Sequence, residues 1–224
     1  FHKLKNKYND IDELISDMIK WIKFNPVKWN NIPSKQKIKD IIKEENIFEI
    51  FKAIYTTENP KFWCCKSLQN FSFFSDENFK KLNPIYVYIY RDGRDVASSF
   101  KKAPIGEKHI YNIAKKWNED QKKCFEIKKK TDKYNFFSVK YEELLINPEL
   151  IISNFCEKYG LTYNDKFINY YKSGESKKAS ISGDLWKNLS KPLIRDNKEK
   201  YKKELTSNEI LIFESINNLE LSKL

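Results

Sequence analysis

The stretch IYVYIYRDGRDVASSF, residues 85–100, constrains this chain more than any other. A run of β-formers, 85–90, follows Asn83-Pro84 and stops at Arg91. Its apolar character is continuous rather than alternating, which predicts a strand covered on both faces, as in a parallel sheet. The run ends on Arg91, Asp92, Arg94 and Asp95, and then small and hydroxyl residues follow. Charge at the end of a buried strand either pairs with itself in a turn or faces a charged ligand.

The rest of the chain supplies partners for that strand. KFWCCK (61–66) is short, apolar and bounded by turn signals, and NFFSVK (135–140) is similar, so both are predicted strands. Helical spacing marks 10–24, with Asp10 as N-cap, then 34–45 behind Ser34, and 47–57 up to the break at Pro60. A long helix is predicted within 107–130. A further one spans 147–160, with Pro148 in its first turn and Gly160 at its C-terminal cap. The last covers 206–221, with Thr206 or Ser207 as cap and Glu209 near the capping-box position. The Gly-, Ser- and Lys-rich stretch 172–192 reads as a mobile loop. Strands that alternate with helices predict an α/β domain, a parallel sheet holding all three strands and flanked by helices. No internal repeat or linker interrupts 1–224, which reads as one domain.

Composition narrows the class. A chain of 224 residues with 40% hydrophobic content and only 5 Gly and 7 Pro is globular rather than low-complexity. The formal charge of +11 attracts polyanions: nucleic acid, an anionic membrane or a phosphorylated cofactor. That charge is scattered, and KKK (128–130) and KEKYKK (198–203) read as solvated helix faces. The 4 cysteines form no disulfide framework, and with only His2 and His109 present no metal-ligand spacing exists. No apolar run approaches membrane-spanning length, and no signal peptide is visible. The chain starts at Phe1 and its only methionine is Met18, so it reads as a fragment without its targeting region.

The predicted strands end in Lys66, Arg91 and Tyr141. In parallel α/β sheets, ligands bind beyond the carboxyl ends of strands. Ser99 lies eight residues after Arg91, about two helical turns on. An arginine fork and a hydroxyl displayed this way can share one phosphate beside a helix N-terminus. The competing reading of RDGRD is a turn in which Arg and Asp pair with each other. Arg94 reads as structural, and Asp92 or Asp95 as capping or orienting the helix.

These residues carry a family resemblance. IYVYIYRDGRDVASSF resembles the 3′-phosphate-binding strand-turn-helix of sulfotransferases that use 3′-phosphoadenosine 5′-phosphosulfate (PAPS). Three further stretches are similar to the same family in the same order. CCKSLQN resembles the strand end that offers a catalytic lysine, which implies Lys66. FFSVKYEELLINPELIISNFCEKYGL resembles the strand, Tyr-Glu turn and helix that place a tyrosine by the adenine, which implies Tyr141. KPLIRDNKEKYKKELTSNE is similar to the C-terminal segment of the Golgi and tyrosylprotein branch, which places a lysine near the cofactor and implies Lys200. Trp117-Asn118 also resembles a pair in the family's long helix, with Trp117 read chiefly as core.

The resemblance implies a P-loop-nucleotide-hydrolase-like fold. It also implies sulfuryl transfer from PAPS to a hydroxyl or amine, release of adenosine 3′,5′-bisphosphate (PAP), no metal and no nucleic-acid partner. Arg91 and Ser99 would hold the 3′-phosphate. Departures accompany it. The Pro-x-Ser-Gly-Thr-Thr phosphate loop is not found, Leu68 stands where the cytosolic branch has a histidine base, and ISGDLWKN carries Leu185 inside a Gly-Asp-Trp-Lys pattern. The Golgi-like branch is the closer. The base and the acceptor (protein tyrosine, carbohydrate or small molecule) stay open, as does any cofactor contact from Lys177, Lys178, Lys187 or Lys191. Cytosol and Golgi lumen remain equally open as compartments. The alternative is a non-catalytic basic α/β module that binds nucleotide or nucleic acid.

Overall fold

The structure, a computed structural model, describes residues 10–24, 32–41, 47–55, 61–66, 70–104 and 106–221. Pro60, Leu68 and the predicted helix ends at 42–45 and 56–57 lie outside the described residues. The chain divides into two compact units, Phe1–Pro84 and Ile85–Leu224.

In the first unit the predicted caps are in place. Asp10 Oδ1 accepts the Asp12 N–H at 2.8 Å and opens α1 (Ile11–Phe24). Ser34 Oγ accepts the Lys37 N–H at 3.2 Å and opens α2 (Lys35–Ile41). Lys35 and Lys39 of α2 both reach Asp12, at 3.3 and 2.9 Å. With α3 (Ile47–Tyr55) these helices bury Ile15, Met18, Ile38, Phe48, Ile50, Ala53 and Ile54. Phe73 and Phe79, which flank the start of the short α4 (Glu77–Lys80), meet Phe48 at 5.5 and 5.4 Å between ring centroids.

Residues 61–66 do not form the predicted strand. They are irregular, with Phe62, Cys64, Cys65 and Lys66 exposed. A strand needs a ladder partner for its carbonyls. Here the Asn70 amide takes the Cys65 carbonyl at 2.9 Å instead.

The second unit holds a parallel pair, β1 (Tyr86–Tyr90) and β2 (Phe136–Lys140), in register from Tyr86 opposite Phe136 to Tyr90 opposite Lys140. Parallel pairing requires a long crossover, supplied by α5 (Gly93–Lys102) and α6 (Ile110–Lys130). Burial along β1 alternates, with Val87 48% and Ile89 56% exposed, so the predicted cover on both faces is not found. The tyrosines of β1 take the covered side: the Tyr88 hydroxyl bonds Gln121 of α6, and its ring meets Phe125 edge-on at 6.4 Å. Burial raises the Tyr86 hydroxyl to about 12.

Beyond β2 come α7 (Tyr141–Ile146) and α8 (Pro148–Lys158), then Gly160 in the left-handed region (φ 60°), where Leu161 N–H closes on the Cys156 carbonyl at 2.8 Å. The predicted mobile loop 172–192 contains α9 (Gly174–Ser180), capped by Ser173, and a 3₁₀ turn at Lys187–Ser190. Local side-chain caps such as Ser173 Oγ to Ser176 N–H (3.0 Å) order it. The short α10 (Tyr201–Glu204) leads into α11 (Ser207–Leu221). Thr206 caps α11 in a reciprocal box: Glu209 N–H donates to Thr206 Oγ1 at 3.3 Å, and Thr206 N–H to Glu209 Oε2 at 2.9 Å. The core forms where α5, α6 and α11 meet, around Trp117, Phe213, Ala97, Ile113 and Ala114. Trp117 is core, as predicted.

Candidate functional site

The site begins where β1 ends. Asp92 follows the strand with non-helical backbone (φ −47°, ψ 121°), and its carboxylate accepts the Arg94 N–H at 2.9 Å, which caps α5. Gly93 follows because nothing larger fits: a Cβ there would stand 2.5 Å from the Phe213 ring and 2.7 Å from Trp117. α5 therefore starts pressed onto the core, and its first turn is rigidly placed.

Arg94 is structural. Its guanidinium pairs with Asp92 and with Glu214 of α11, both at 2.7 Å, and stacks 4.2 Å over the Tyr201 ring. Its hydrogen bonding to the Asp92 carboxylate is the main reason its basicity is raised. The predicted self-pairing of RDGRD is therefore real, and it runs twice: Arg94 pairs with Asp92, and Arg91 with Asp95.

Arg91 gathers two of the other predicted residues, Ser99 and Tyr141. Its Nη1 donates to Ser99 Oγ at 3.4 Å, and its guanidinium stacks 4.8 Å over the Tyr141 ring. Nη2 donates to the Asn197 carbonyl at 2.9 Å and lies 3.5 Å from the Asp95 carboxylate. Arg91 Nε is buried with no acceptor among the described residues. A buried donor without a partner costs stability unless something meets it. Ser99 is exposed at the rim, and its hydroxyl also donates to the Asp95 carbonyl one turn back, at 2.9 Å. Tyr141 is the first residue after β2, so parallel register alone carries it to the side of Arg91.

The segment 197–201 closes the group. Asp95, 1% exposed, accepts the Glu199 N–H at 2.7 Å and the Tyr201 N–H at 2.9 Å. Glu199 is held in the left-handed region (φ 54°). Asn197 Nδ2 donates to the Tyr141 hydroxyl at 2.7 Å. Lys200 lies on this segment, half-buried, and its carbonyl accepts the Lys203 and Glu204 N–H groups. From the first turn of α7, just after β2, Glu142 accepts the Asp92 N–H at 3.0 Å and ties the two strand ends together.

Arg91, Ser99 and Tyr141 thus converge in one unit, with Lys200 on the segment bonded to them. Lys66 belongs to the other unit and stands in an exposed irregular stretch rather than at a strand end. Asn197, Glu142 and the clamp made by Asp95 are the residues the sequence did not single out for the site. Asn197 sits in a lysine-rich stretch without a pattern, and its partners lie 56 and 106 positions away. Among the described residues no group of His, Cys, Asp and Glu could hold a metal ion, and no helix is long and apolar enough to cross a membrane.

An arginine fork and a serine hydroxyl stand together at a strand-to-helix turn, beside an aromatic ring at the carboxyl end of a parallel pair, where the chemistry suits an anion. The sulfotransferase family model matches residues 5–165, and this chain belongs to that family. The match includes Lys66, Arg91, Ser99 and Tyr141 and ends before Asn197 and Lys200. No curated protein matches the chain. Among solved structures, the sulfotransferase domain from the Synechococcus PCC 7002 olefin synthase is similar at 17% identity with a TM-score of 0.48. That similarity covers 64% of this chain and 55% of that domain, so the chain spans about half of it.

Proposed function

We propose that this chain transfers a sulfuryl group from PAPS to a hydroxyl or amine acceptor. The observation that carries the reading is the convergence of Arg91, Ser99 and Tyr141 at the carboxyl ends of two parallel strands. The donor set fits a nucleotide bearing a 3′-phosphate. Arg91 offers a planar fork whose Nε has no acceptor among the described residues, Ser99 adds a hydroxyl at the rim, and the Tyr141 face suits an adenine ring. When bound, PAPS supplies the activated sulfuryl group. Arg91 and Ser99 orient it by gripping the 3′-phosphate, and Lys200 adds positive charge from the same wall.

Lys66 would stabilise charge on the leaving phosphate oxygen, a contribution that grows as the bond breaks and so favours the transition state. This role rests on the family resemblance and requires Lys66 to reach the nucleotide. The two-stranded sheet is read as part of a P-loop-nucleotide-hydrolase-like sheet. The stretch 191–209 supports a place nearer the Golgi and tyrosylprotein branch.

The test is calorimetry with adenosine 3′,5′-bisphosphate and adenosine 5′-monophosphate. Arg91→Ala removes a charge-assisted contact of about 1.5–3 kcal/mol, so the bisphosphate should weaken about ten- to a hundredfold and the monophosphate far less. Equal losses for both nucleotides refute the 3′-phosphate reading.

A further inference from the structure

We propose that Asn197 is a positioning residue of the nucleotide site, acting through the Tyr141 hydroxyl; the inference rests on the reading of Arg91, Ser99 and Tyr141 as that site. Two observations carry it. Asn197 touches both key side chains at once: its carbonyl accepts from Arg91 Nη2 at 2.9 Å, and its amide donates to the Tyr141 hydroxyl at 2.7 Å. Its segment is also held at a further point, by Asp95, which itself lies 3.5 Å from Arg91 Nη2. Asp95, buried at the start of α5, takes two backbone N–H groups of the same segment, at Glu199 and Tyr201. The segment is therefore a fixed brace, and Asn197 is the point where it meets the site.

The two contacts have different consequences. The carbonyl contact belongs to the backbone and survives any side-chain change at 197. It holds Nη2 to one side, so Nη1 faces Ser99 without Arg91 having to be ordered when a ligand arrives. The side-chain contact fixes the tilt of the Tyr141 ring, which lies under the Arg91 guanidinium. Asn197→Ala removes only that second contact. Tyr141→Phe removes the same hydrogen bond from the other side.

The experiment is a double-mutant cycle on the full chain with Asn197→Ala, Tyr141→Phe and the pair, titrated with adenosine 3′,5′-bisphosphate and with adenosine 5′-monophosphate. Each single change should weaken both nucleotides by a similar factor, about three- to tenfold, the scale of one hydrogen bond. The ratio between the nucleotides should stay at its wild-type value, and the double variant should be no weaker than either single one. A merely structural Asn197 would give losses that multiply with those of Tyr141→Phe, and this overturns the proposal, as does a neutral Asn197→Ala. Asn197→Asp keeps the volume and provides a second reading if the alanine variant misfolds. Its carboxylate can accept from the Tyr141 hydroxyl, while its charge opposes a phosphate at Arg91. It should therefore lose the bisphosphate selectively, and an unchanged ratio counts against the placement. A wild-type protein that binds neither nucleotide, or an Arg91→Ala variant with an unchanged ratio, sinks the nucleotide reading and this proposal together. A normal Arg91 result beside a neutral Asn197→Ala sinks this proposal alone.

Discussion

Replacing Asp95 with alanine should release the brace and lower the stability of the second unit. Asp95 is 1% exposed, and its carboxylate accepts two backbone N–H groups at 2.7 and 2.9 Å. Hydrogen bonds to a charged acceptor contribute about 1.5–3 kcal/mol each, which sets an upper bound of roughly 3–6 kcal/mol for the pair. Two effects reduce it. Glu199 is exposed, so its N–H regains water once the carboxylate is gone. Its left-handed backbone at φ 54° also relaxes when the turn is freed. A net loss of about 2–4 kcal/mol remains. In a unit of this size, 1 kcal/mol moves Tm by roughly 3 °C, so the expected fall is about 6–12 °C. Scanning calorimetry reads that fall, and limited proteolysis should show new cleavage within 192–200. A variant whose Tm stays within about 2 °C of wild type, with no new cleavage, refutes the view that Asp95 holds this segment.

Three further predictions concern other parts of the molecule. Gly93→Ala should destabilise by about 1–3 kcal/mol, because the added methyl collides with Phe213 and Trp117 in a packed core; unchanged denaturation midpoints would show that the core gives way freely. Lys66→Met should lower kcat for sulfuryl transfer by about 10²–10³ while nucleotide affinity changes little, and near-normal turnover would reduce Lys66 to a solvated surface lysine. Glu204 is held below the ordinary glutamate value of 4.5 by Lys102 and Ser98, and Glu209 by Lys101 and the Thr206 N–H. Carboxylates with depressed folded-state values contribute fully above the unfolded value, and the contribution is lost as pH falls through the folded one. Tm should therefore be level above about pH 5 and drop below it. Lys102→Met should shrink the drop, and an undiminished drop would exclude the Lys102–Glu204 pair as a cause.

Much of the local structure is written in neighbouring residues. Asp10, Ser34 and the Thr206–Glu209 box each satisfy helix N–H groups within a few positions, so a linear reading finds them. The strands at 85–90 and 135–140 were equally legible, because a run of β-formers between turn signals needs no distant information. The placement of Arg91 and Ser99 on one ridge follows from eight-residue spacing on a strand-to-helix turn. The opposite case is KFWCCK, 61–66, whose composition matches a strand. Ladder partners decide whether such a run pairs, and here Asn70 takes a carbonyl that a neighbouring strand would need. Lys66 lost its predicted strand-end position for that reason.

The remaining decisions belong to long-range contacts. Sequence named two arginines in RDGRD but could weigh them only by type and resemblance; the structure separates them, since Glu214 and Tyr201 claim Arg94. Val87 and Ile89 read as buried, yet helix α6 covers only the tyrosine side of β1. Asn197 carries no sequence signal, because its importance lies in touching Arg91 and Tyr141 across 106 and 56 positions. The sequence by itself determined the helix caps, the two strands and the strand-to-helix turn after Arg91, all of which are set by residues close along the chain. Only the tertiary structure decided that Arg94 turns to Glu214 and Tyr201 while Arg91 meets Ser99, Tyr141 and the segment at Asn197, because those choices depend on segments that approach each other only when the core closes.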